Sequence, residues 1–215
     1  MKNIVIGKKS EIDKRAIIGQ KTGRKIKSRK LSIGRKAKIR SNSVIYEGSK
    51  IGNNLETGHN VLIREENVIG NNLCIWTNSI IDYRCKIGNN VKIQNNCYVA
   101  QFTTIEDDAF LGPGVVIAND RYPVSPSTPK YLKGPVIKKG AKIGANVTLL
   151  PGVTIGEYSL IGGGAVVVSD IPPGSVAFGN PAAVKKTIDQ LINPYSKKKV
   201  YAKILPKLKK ILKKK

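Results

Sequence analysis

Aliphatic residues recur at every sixth position over most of this 215-residue chain. Fifteen successive positions from Ile33 to Ile117 follow that step, and all except Thr57 are Ile, Leu or Val. Six further positions from Ile137 to Val167 follow it without exception. An α-helix repeats at about 3.6 residues and a strand at about 2, so neither element alone gives this spacing. Six residues suffice for one short strand and one corner, and three such units close a triangular coil of 18 residues.

The 18-residue period is also visible in the predicted corners. The tripeptides 52–54, 70–72 and 88–90 all read Gly-Asn-Asn, and Glu106-Asp107-Asp108 follows at the same interval. Asn tolerates a left-handed backbone and bonds to local amides, which suits a stacked corner. We expect successive coils to pair as parallel strands about 4.8 Å apart, with Cys85 and Cys97 at small inward positions.

Two breaks in the register predict loops. A short first block of aliphatic residues, at Ile6, Ile12 and Ile18, is out of step with the main block, which places extra residues in a basic loop at 20–30. A second break predicts a loop over 119–136, rich in Pro and polar residues. A loop that interrupts a strict solenoid is more often functional than decorative.

The end of the coil is predicted near residue 172, where a Pro-Pro-Gly sequence begins. Pro181 suits a first helical turn, which predicts a helix over roughly 181–192. In residues 196–215, apolar residues fall at helical spacing among lysines, and Pro206 is expected to kink that helix.

The charge balance is extreme, with 38 Lys and Arg against 14 Asp and Glu and a formal net charge of +24. This balance favours polyanionic partners, acidic membrane surfaces or small phosphorylated ligands. Three interpretations of the basic tail 196–215 stay open: contact with an anionic membrane surface, packing on a neighbouring subunit, and a solvated tail. Nucleic acid is disfavoured, because the few aromatic residues are scattered and form no stacking platform.

Localisation is predicted to be cytoplasmic. No apolar run approaches the length of a membrane span, and the charged N-terminal segment does not read as a signal peptide. Three Cys form no disulfide framework, which favours a reduced compartment.

The repeat resembles the hexapeptide-repeat family, and the resemblance covers roughly residues 1–172. It implies an all-β, left-handed parallel β-helix of 18-residue triangular coils, with one extended loop and a C-terminal α-helical segment. Handedness rests on the resemblance alone, since general connection rules favour right-handed crossovers. The expected units are the β-helix at 1–172, a loop and short helix on the coenzyme A side at 173–195, and the basic tail at 196–215.

Within that family, the γ-type carbonic anhydrases need three His ligands, and this chain has only His59. No metal is therefore expected. The other main branch transfers acyl groups from acyl-CoA to an amine or a hydroxyl. Residues 170–184 resemble the ending of hexapeptide acyltransferases, which packs beside coenzyme A. The resemblance thus implies acetyl-CoA as co-substrate.

Three stretches, 58–65, 92–96 and 105–120, resemble the nucleotide-linked amino-sugar N-acetyltransferases, of the UDP-2-acetamido-3-amino-2,3-dideoxy-glucuronate N-acetyltransferase type. The implied activity is N-acetylation of a nucleotide-linked amino sugar for surface polysaccharide biosynthesis, in a homotrimer with active sites between subunits. Two alternatives stay open. One is O-acetylation of a sugar or small alcohol, and the other is a non-catalytic scaffold that binds anionic lipid or nucleic acid.

Transfer from a thioester to an amine needs a neutral amine, a thioester at contact distance and a donor for the oxyanion. The resemblance places Asn119 beside the acceptor amine, where its carbonyl would orient the attacking nitrogen. His59 is a candidate general base. The structural alternatives are a corner-capping Asn and a surface His. Many family members carry a His just after the loop-entrance Asn, where this chain has Arg121 and Tyr122.

By the same resemblance, the sugar nucleotide is expected to meet polar residues of the corners and loop: Asn95, Asn96, Glu106, Asp107, Arg121 and Tyr122. Coenzyme A is expected to meet backbone amides and lysines nearer the C-terminus: Gly140, Ala141, Lys142, Gly162, Gly163, Asn180, Pro181, Lys185 and Lys186. Basic side chains there suit its phosphates. Nothing in the sequence marks Cys74 as an activated nucleophile.

Overall fold

A computed structural model describes residues 3–126 and 128–213. Its strands are two to five residues long and form three sheets, one on each face of a triangular prism. Sheet A contains Ile4–Ile6, Leu31–Ile33, Lys50–Ile51, Val68–Ile69, Lys86–Ile87, Thr104–Ile105, Val136–Ile137 and Thr154–Ile155. Sheet B contains Glu11–Ile12, Lys38–Ile39, Glu56–Thr57, Cys74–Ile75, Lys92–Ile93, Phe110–Leu111, Lys142–Ile143, Leu160–Ile161, Ser175–Phe178 and Ala183–Thr187. Sheet C contains Ile17–Gln20, Val44–Tyr46, Leu62–Ile63, Ile80–Ile81, Tyr98–Val99, Val116–Ile117, Thr148–Leu149 and Val166–Val167.

The aliphatic column fills the interior of the prism, as the six-residue repeat predicts. Ile69 pairs in parallel with Ile51 on one side and with Ile87 on the other. All three are at most 4% exposed. Ile6 and Ile12, at the start of the column, are more than a third exposed, because they belong to the first coil of the prism. The fold is an all-β, left-handed parallel β-helix.

Thr57, the one exception in the main column, is also fully buried. Its hydroxyl accepts a hydrogen bond from the backbone N–H of Arg40 at 3.0 Å and lies 3.4 Å from the hydroxyl of Ser43. The side chain therefore takes over a backbone ladder bond that the preceding coil would otherwise lose.

The corners stack into three edges, which we name AB, BC and CA after the sheets that they join. Edge AB carries an Asn ladder, as predicted. The backbone N–H of Asn71 donates to Asn89 Oδ1 at 2.9 Å, and that of Asn89 donates to Asp107 Oδ1 at 2.7 Å. Asn72 and Asn90 have φ near 60°, a left-handed conformation that Asn tolerates.

Both loops leave the prism at edge CA. The basic loop connects Ile17–Gln20 of sheet C with Leu31–Ile33 of sheet A. The second loop follows Val116–Ile117 and contains the short helix Thr128–Tyr131 before Val136–Ile137. It is closed at its base by a bond of 2.9 Å from the Lys133 N–H to the carbonyl of Asn119.

The helix expected over 181–192 is wrong. Ala183–Thr187 form a strand that pairs antiparallel with Ser175–Phe178, and only Ile188–Gln190 form a single 3-10 turn. The open edge of sheet B offers unpaired backbone groups to this segment, and satisfying them outweighs the local helix signal of Pro181.

The C-terminal segment folds back onto the prism. A 3-10 turn at Ala202–Ile204 leads into the helix Leu205–Leu212. Leu208 is buried in a small cluster with Tyr158, Val176 and Ile188. Pro206 lies in the first turn of this helix, where a missing N–H costs nothing, so the expected kink is wrong. Among the described residues, no helix has the length and apolarity to cross a bilayer.

Candidate active site

Asn119 ends a column of side chains on edge CA, spaced one coil apart and including Glu47, Glu65 and Gln101. It is 9% exposed. Its Nδ2 donates to Gln101 Oε1 at 2.9 Å, and its carbonyl is held by the Lys133 N–H. With Nδ2 bound in this way, Oδ1 is the atom that can accept a hydrogen bond from an incoming amine.

A cavity of about 450 Å³ lies beside Asn119, between the second loop and the next corner of the prism. It is lined by Asp120, Arg121, Tyr122, Tyr131, Lys133, Pro151 and Gly152. Arg121 and Tyr122, both predicted to meet substrate, therefore share a cavity. Tyr131, Lys133 and Gly152 were missed, because their approach depends on how the loop folds back. A Cβ at Gly152 would lie 3.0 Å from Lys133 Cδ, so the glycine makes room for that lysine.

His59, Asn95 and Asn96 lie together on edge BC. His59 is exposed, and its Nδ1 lies 2.6 Å from the hydroxyl of Ser41. The Asn95 carbonyl accepts from Gly114 N–H at 2.9 Å, and Asn96 N–H donates to a carbonyl of the preceding coil. Within one chain, the two predicted catalytic residues Asn119 and His59 therefore stand on different edges.

Glu106 and Asp107 lie on edge AB, away from the loop cavity. Glu106 accepts from Lys138 Nζ at 2.8 Å and from Lys139 N–H at 3.1 Å. Asp107 ends the Asn ladder. Both carboxylates line a second cavity of about 390 Å³ along sheet A. The six predicted substrate residues are thus divided among three edges of the subunit.

The residues predicted to bind coenzyme A form two groups. Gly162 and Gly163 lie at the C-terminal end of edge BC, where the segment with Asn180 and Pro181 docks through bonds of the neighbouring residues 179 and 182 to Val166. Lys185 and Lys186 are exposed on the adjacent strand.

Gly140, Ala141 and Lys142 lie instead between edge AB and sheet B. Lys142 Nζ donates to the Gly140 carbonyl at 3.0 Å and lies 5.0 Å from the ring centroid of Tyr201. Burial lowers the pKa of this lysine. The C-terminal tail therefore covers Lys142.

The edge cluster, which we define as Arg24, Arg29, Glu47, Arg64, Glu65 and Asp82, is a feature that the sequence analysis missed. Glu65 is completely buried and accepts bonds from Arg24 at 3.0 Å and Arg64 at 3.1 Å. The Arg24 guanidinium also stacks 3.4 Å above the centroid of the Tyr83 ring. Arg29 bonds to Glu47, so two arginines of the basic loop form ion pairs with edge CA.

Glu65 is kept charged by these contacts. Burial would raise its pKa, but hydrogen bonds from its own backbone N–H and from Arg24, with the charge and hydrogen bond of Arg64, bring the pKa below the ordinary value of 4.5. Buried carboxylates are tolerated when they are paired in this way.

The outer face of sheet C carries no lysine at its strand positions, although the chain has a net charge of +24. The outward residues are Ile17, Val44, Leu62, Ile80, Tyr98, Val116, Thr148 and Val166. By contrast, sheets A and B present Lys50, Lys86, Lys38 and Lys92. The Tyr98 hydroxyl donates to Asp82 at 2.9 Å, and burial together with this bond raises its pKa to about 12. Edges BC and CA flank this uncharged face.

The cysteines offer no activated thiol. Cys85 and Cys97 are buried in the core, as predicted. Burial raises the pKa of Cys85 to about 12 and also raises the pKa of half-buried Cys74. In the described part of the chain, no three His, Cys, Asp or Glu side chains converge as a metal site would require.

Comparison with known proteins agrees with the fold. A family model described as bacterial transferase hexapeptide (six repeats) matches residues 84–119 and 134–169, on either side of the second loop. A UDP-N-acetylglucosamine acyltransferase from Bacteroides fragilis 9343 superposes with a TM-score of 0.63 at 24% identity, over 86% of this chain and 71% of that one. This likeness shows the fold.

Two curated relatives share sequence with part of the chain. Galactoside O-acetyltransferase of Lactococcus lactis is 42% identical over 89 residues, which are 40% of this chain and 43% of its own. The dTDP-3-amino-3,6-dideoxy-α-D-galactopyranose 3-N-acetyltransferase of Aneurinibacillus thermoaerophilus is 49% identical over 55 residues, 26% of this chain and 29% of its own. The aligned regions span less than half of each relative. Together with the 18-residue coils, the matched repeats show that residues 84–119 and 134–169 carry hexapeptide repeats of the kind found in bacterial transferases.

Proposed function

We propose that this protein is an acetyl-CoA-dependent N-acetyltransferase that acts on the amino group of a nucleotide-linked amino sugar. The observation that carries the proposal is Asn119, whose amide is fixed by Gln101 and whose neighbour in the chain, Asp120, lines the loop cavity. Such an amide can orient an amine but cannot activate a hydroxyl by removing its proton. The similarity to a dTDP-amino-sugar N-acetyltransferase supports the same acceptor class.

The chemistry needs no covalent enzyme intermediate. The neutral amine attacks the thioester carbonyl, the C–N bond forms, the C–S bond breaks, and the amine loses a proton as coenzyme A leaves as a thiol. Asn119 Oδ1 would accept one N–H of the amine and aim the nitrogen lone pair at the carbonyl. Arg121 and Lys133 would face the diphosphate of the acceptor, and Tyr122 and Tyr131 would offer ring surfaces to its base or sugar.

Acetyl-CoA supplies the activated acetyl group. The C-terminal end of edge BC suits acetyl-CoA, because it offers accessible backbone groups and cations. Gly163 and Gly164 are exposed, and a Cβ built at Gly164 would meet no atom within 4 Å, so a ligand can reach the peptide backbone there. Lys185 and Lys186 would add cations for phosphates. Lys142 lies beneath Tyr201 and is therefore less accessible to acetyl-CoA than Lys185 and Lys186.

We place the complete site between subunits of a homotrimer. Sheet C offers an apolar face in a chain that is otherwise strongly basic, and like charges would oppose contact through sheets A or B. Copies joined through sheet C would bring edge CA of one subunit toward edge BC of the next. Asn119 would then approach His59 and Asn95 across the boundary, which a single chain does not allow.

O-acetylation is the second candidate, favoured by the similarity to a galactoside O-acetyltransferase. A hydroxyl needs a general base, and His59 would supply it through Nε2 while Ser41 holds Nδ1. The two reactions therefore differ in whether His59 is essential.

The test measures thiol release from acetyl-CoA with a panel of UDP- and dTDP-linked amino sugars and with simple glycosides. Asn119→Ala is expected to lower kcat/KM by about 30- to 1000-fold, because orientation of this kind contributes roughly 2 to 4 kcal/mol. Acetyl-CoA affinity should not change. Asn71→Ala on edge AB is the matched control. If His59→Asn abolishes transfer while Asn119→Ala leaves it intact, the proposal is wrong and base catalysis takes its place.

The subunit arrangement has its own test. Ile80→Lys puts a charge on the face of sheet C and should convert the trimer to monomers that lack activity. Val68→Lys makes the same kind of change at a position of sheet A that is 55% exposed, and it should leave the trimer intact. Light scattering after size exclusion measures the mass of each. A trimer with Ile80→Lys would exclude sheet C as the interface.

A further inference from the structure

A tight turn near the C-terminus displays an aromatic side chain to solvent. We name residues 193–199 the Tyr195 turn. Asn193 Oδ1 accepts the backbone N–H groups of Tyr195 and Ser196, each at 2.9 Å, and the Asn193 backbone bonds to Lys197 and Lys198. These bonds fix the turn, yet the Tyr195 side chain at its tip is 93% exposed. The ordered turn therefore keeps the aromatic ring of Tyr195 exposed to solvent.

The C-terminal segment that contains this turn is rich in lysine. Residues 178–213 contain ten lysines, and Asp189 is the single acidic residue among them. The exposed lysines of this region lie on the last strand, on the Tyr195 turn, and on or next to the 3-10 turn and helix that follow it: Lys185, Lys186, Lys197, Lys198, Lys199, Lys203, Lys207, Lys209, Lys210 and Lys213. The Asp189 carboxylate already accepts a hydrogen bond from Thr187, which leaves the region strongly positive.

The same segment also exposes apolar side chains. Phe178, Val184, Ile192 and Leu212 are each between 43% and 50% exposed. The final helix cannot supply its apolar face to a partner, because Leu208 is only 6% exposed and packs against the prism. A ligand of this end of the molecule must therefore be recognised by the turn, its neighbouring apolar tips and the lysines.

We propose that the C-terminal end of the prism binds the surface of an anionic lipid bilayer. Tyr195 would lie at the level of the headgroups, where an amphipathic ring is stable, and the lysines would attract anionic headgroups. A soluble polyanion would need only the lysines and would gain nothing from an aromatic ring fixed at the tip. The inference goes beyond acetyl transfer and does not depend on it.

The test is flotation of the full-length protein with vesicles of phosphatidylcholine alone or of equal parts phosphatidylcholine and phosphatidylglycerol. The wild type should float only with the anionic vesicles. The triple variant Lys197→Asn, Lys198→Gln and Lys199→Gln should bind roughly 100-fold more weakly, because each basic residue at such a surface contributes roughly a factor of five. Tyr195→Ser should weaken binding about tenfold, and Tyr195→Phe should largely restore it.

The matched control removes three exposed lysines at the opposite end of the prism, through Lys8→Gln, Lys14→Gln and Lys38→Gln. It should change vesicle binding by less than about twofold. If this control weakens binding as much as the turn variant does, the net charge of the protein explains the attraction and the proposal is wrong. It is also wrong if the wild type ignores anionic vesicles but binds a soluble anionic polysaccharide through the same lysines. Thermal melting confirms that each variant is folded.

Discussion

Replacing Glu65 with Gln would remove the negative charge that Arg24 and Arg64 share. Gln keeps the shape and one acceptor, so the change tests charge and not packing. Removing one partner of a buried ion pair costs about 3 to 5 kcal/mol when the other is left without compensation. Here Arg24 and Arg64 are each 30% exposed, so water offsets part of that cost.

Both arginines also keep other partners in the variant. Arg64 retains Asp82 at 3.2 Å, and Arg24 retains its stacking on Tyr83. We therefore expect a loss of about 2 kcal/mol in the free energy of unfolding. For a domain of this size, that corresponds to a fall in Tm of about 4 to 8 °C.

Limited digestion with trypsin tests the contact between Glu65 and Arg24 at the basic loop itself. The basic loop contains six trypsin sites between residues 21 and 30, and cleavage there depends on how often the loop opens. Glu65→Gln should speed this cleavage by at least about tenfold. Asp13→Asn, which breaks an exposed pair with Arg15, is the control and should leave both Tm and cleavage of the basic loop unchanged. Unchanged Tm and unchanged cleavage in Glu65→Gln would refute the role given to the edge cluster.

Three further perturbations address the fold. Ile87→Asp places a carboxylate in the interior of sheet A and should cost several kcal/mol, as judged by denaturant unfolding; an equally stable variant would contradict the inward column. Leu208→Ala should cost about 2 to 4 kcal/mol and release the final helix, which hydrogen exchange of residues 205–212 would detect. The folded pKa of Glu65 is lowered, so its stabilisation is present above the unfolded pKa and is lost as the pH falls through the folded value. The difference in Tm between wild type and Glu65→Gln should therefore shrink below about pH 4.5.

The prism could be predicted from sequence because each inward residue depends mainly on residues one coil away. Ile69 needs Ile51 and Ile87, and the spacing that joins them is written directly in the chain. The 18-residue spacing also determines which edge carries each residue of the candidate site. His59 and Asn95 differ by two whole coils and so share an edge, whereas Asn119 is in phase with Glu65. The position of each residue within its 18-residue coil therefore predicts that His59 and Asn119 lie on different edges of one subunit.

The edge cluster and the last strand could not be predicted in this way. Arg24 reaches Glu65 across 41 residues, and that contact depends on the path of a loop that has no repeat. At 183–187, the local sequence favours a helix, but the unpaired edge of Ser175–Phe178 selects a strand. In both places, the outcome is decided by tertiary contacts that periodicity does not encode.

Both loops leave the prism on edge CA, so the number of coils between them sets the distance between them. In sheet C, five strand pairings separate the strand before the basic loop from the strand before the second loop, which sets a distance of about 24 Å at about 4.8 Å each. Because each coil between the two loops has 18 residues, loss or gain of one such coil would change that distance by about 4.8 Å and leave every later side chain facing the same way. The distance between the two loops therefore changes only in steps of one coil. A chain of this type can adapt to ligands of different length while the side chains on its edges keep their orientation.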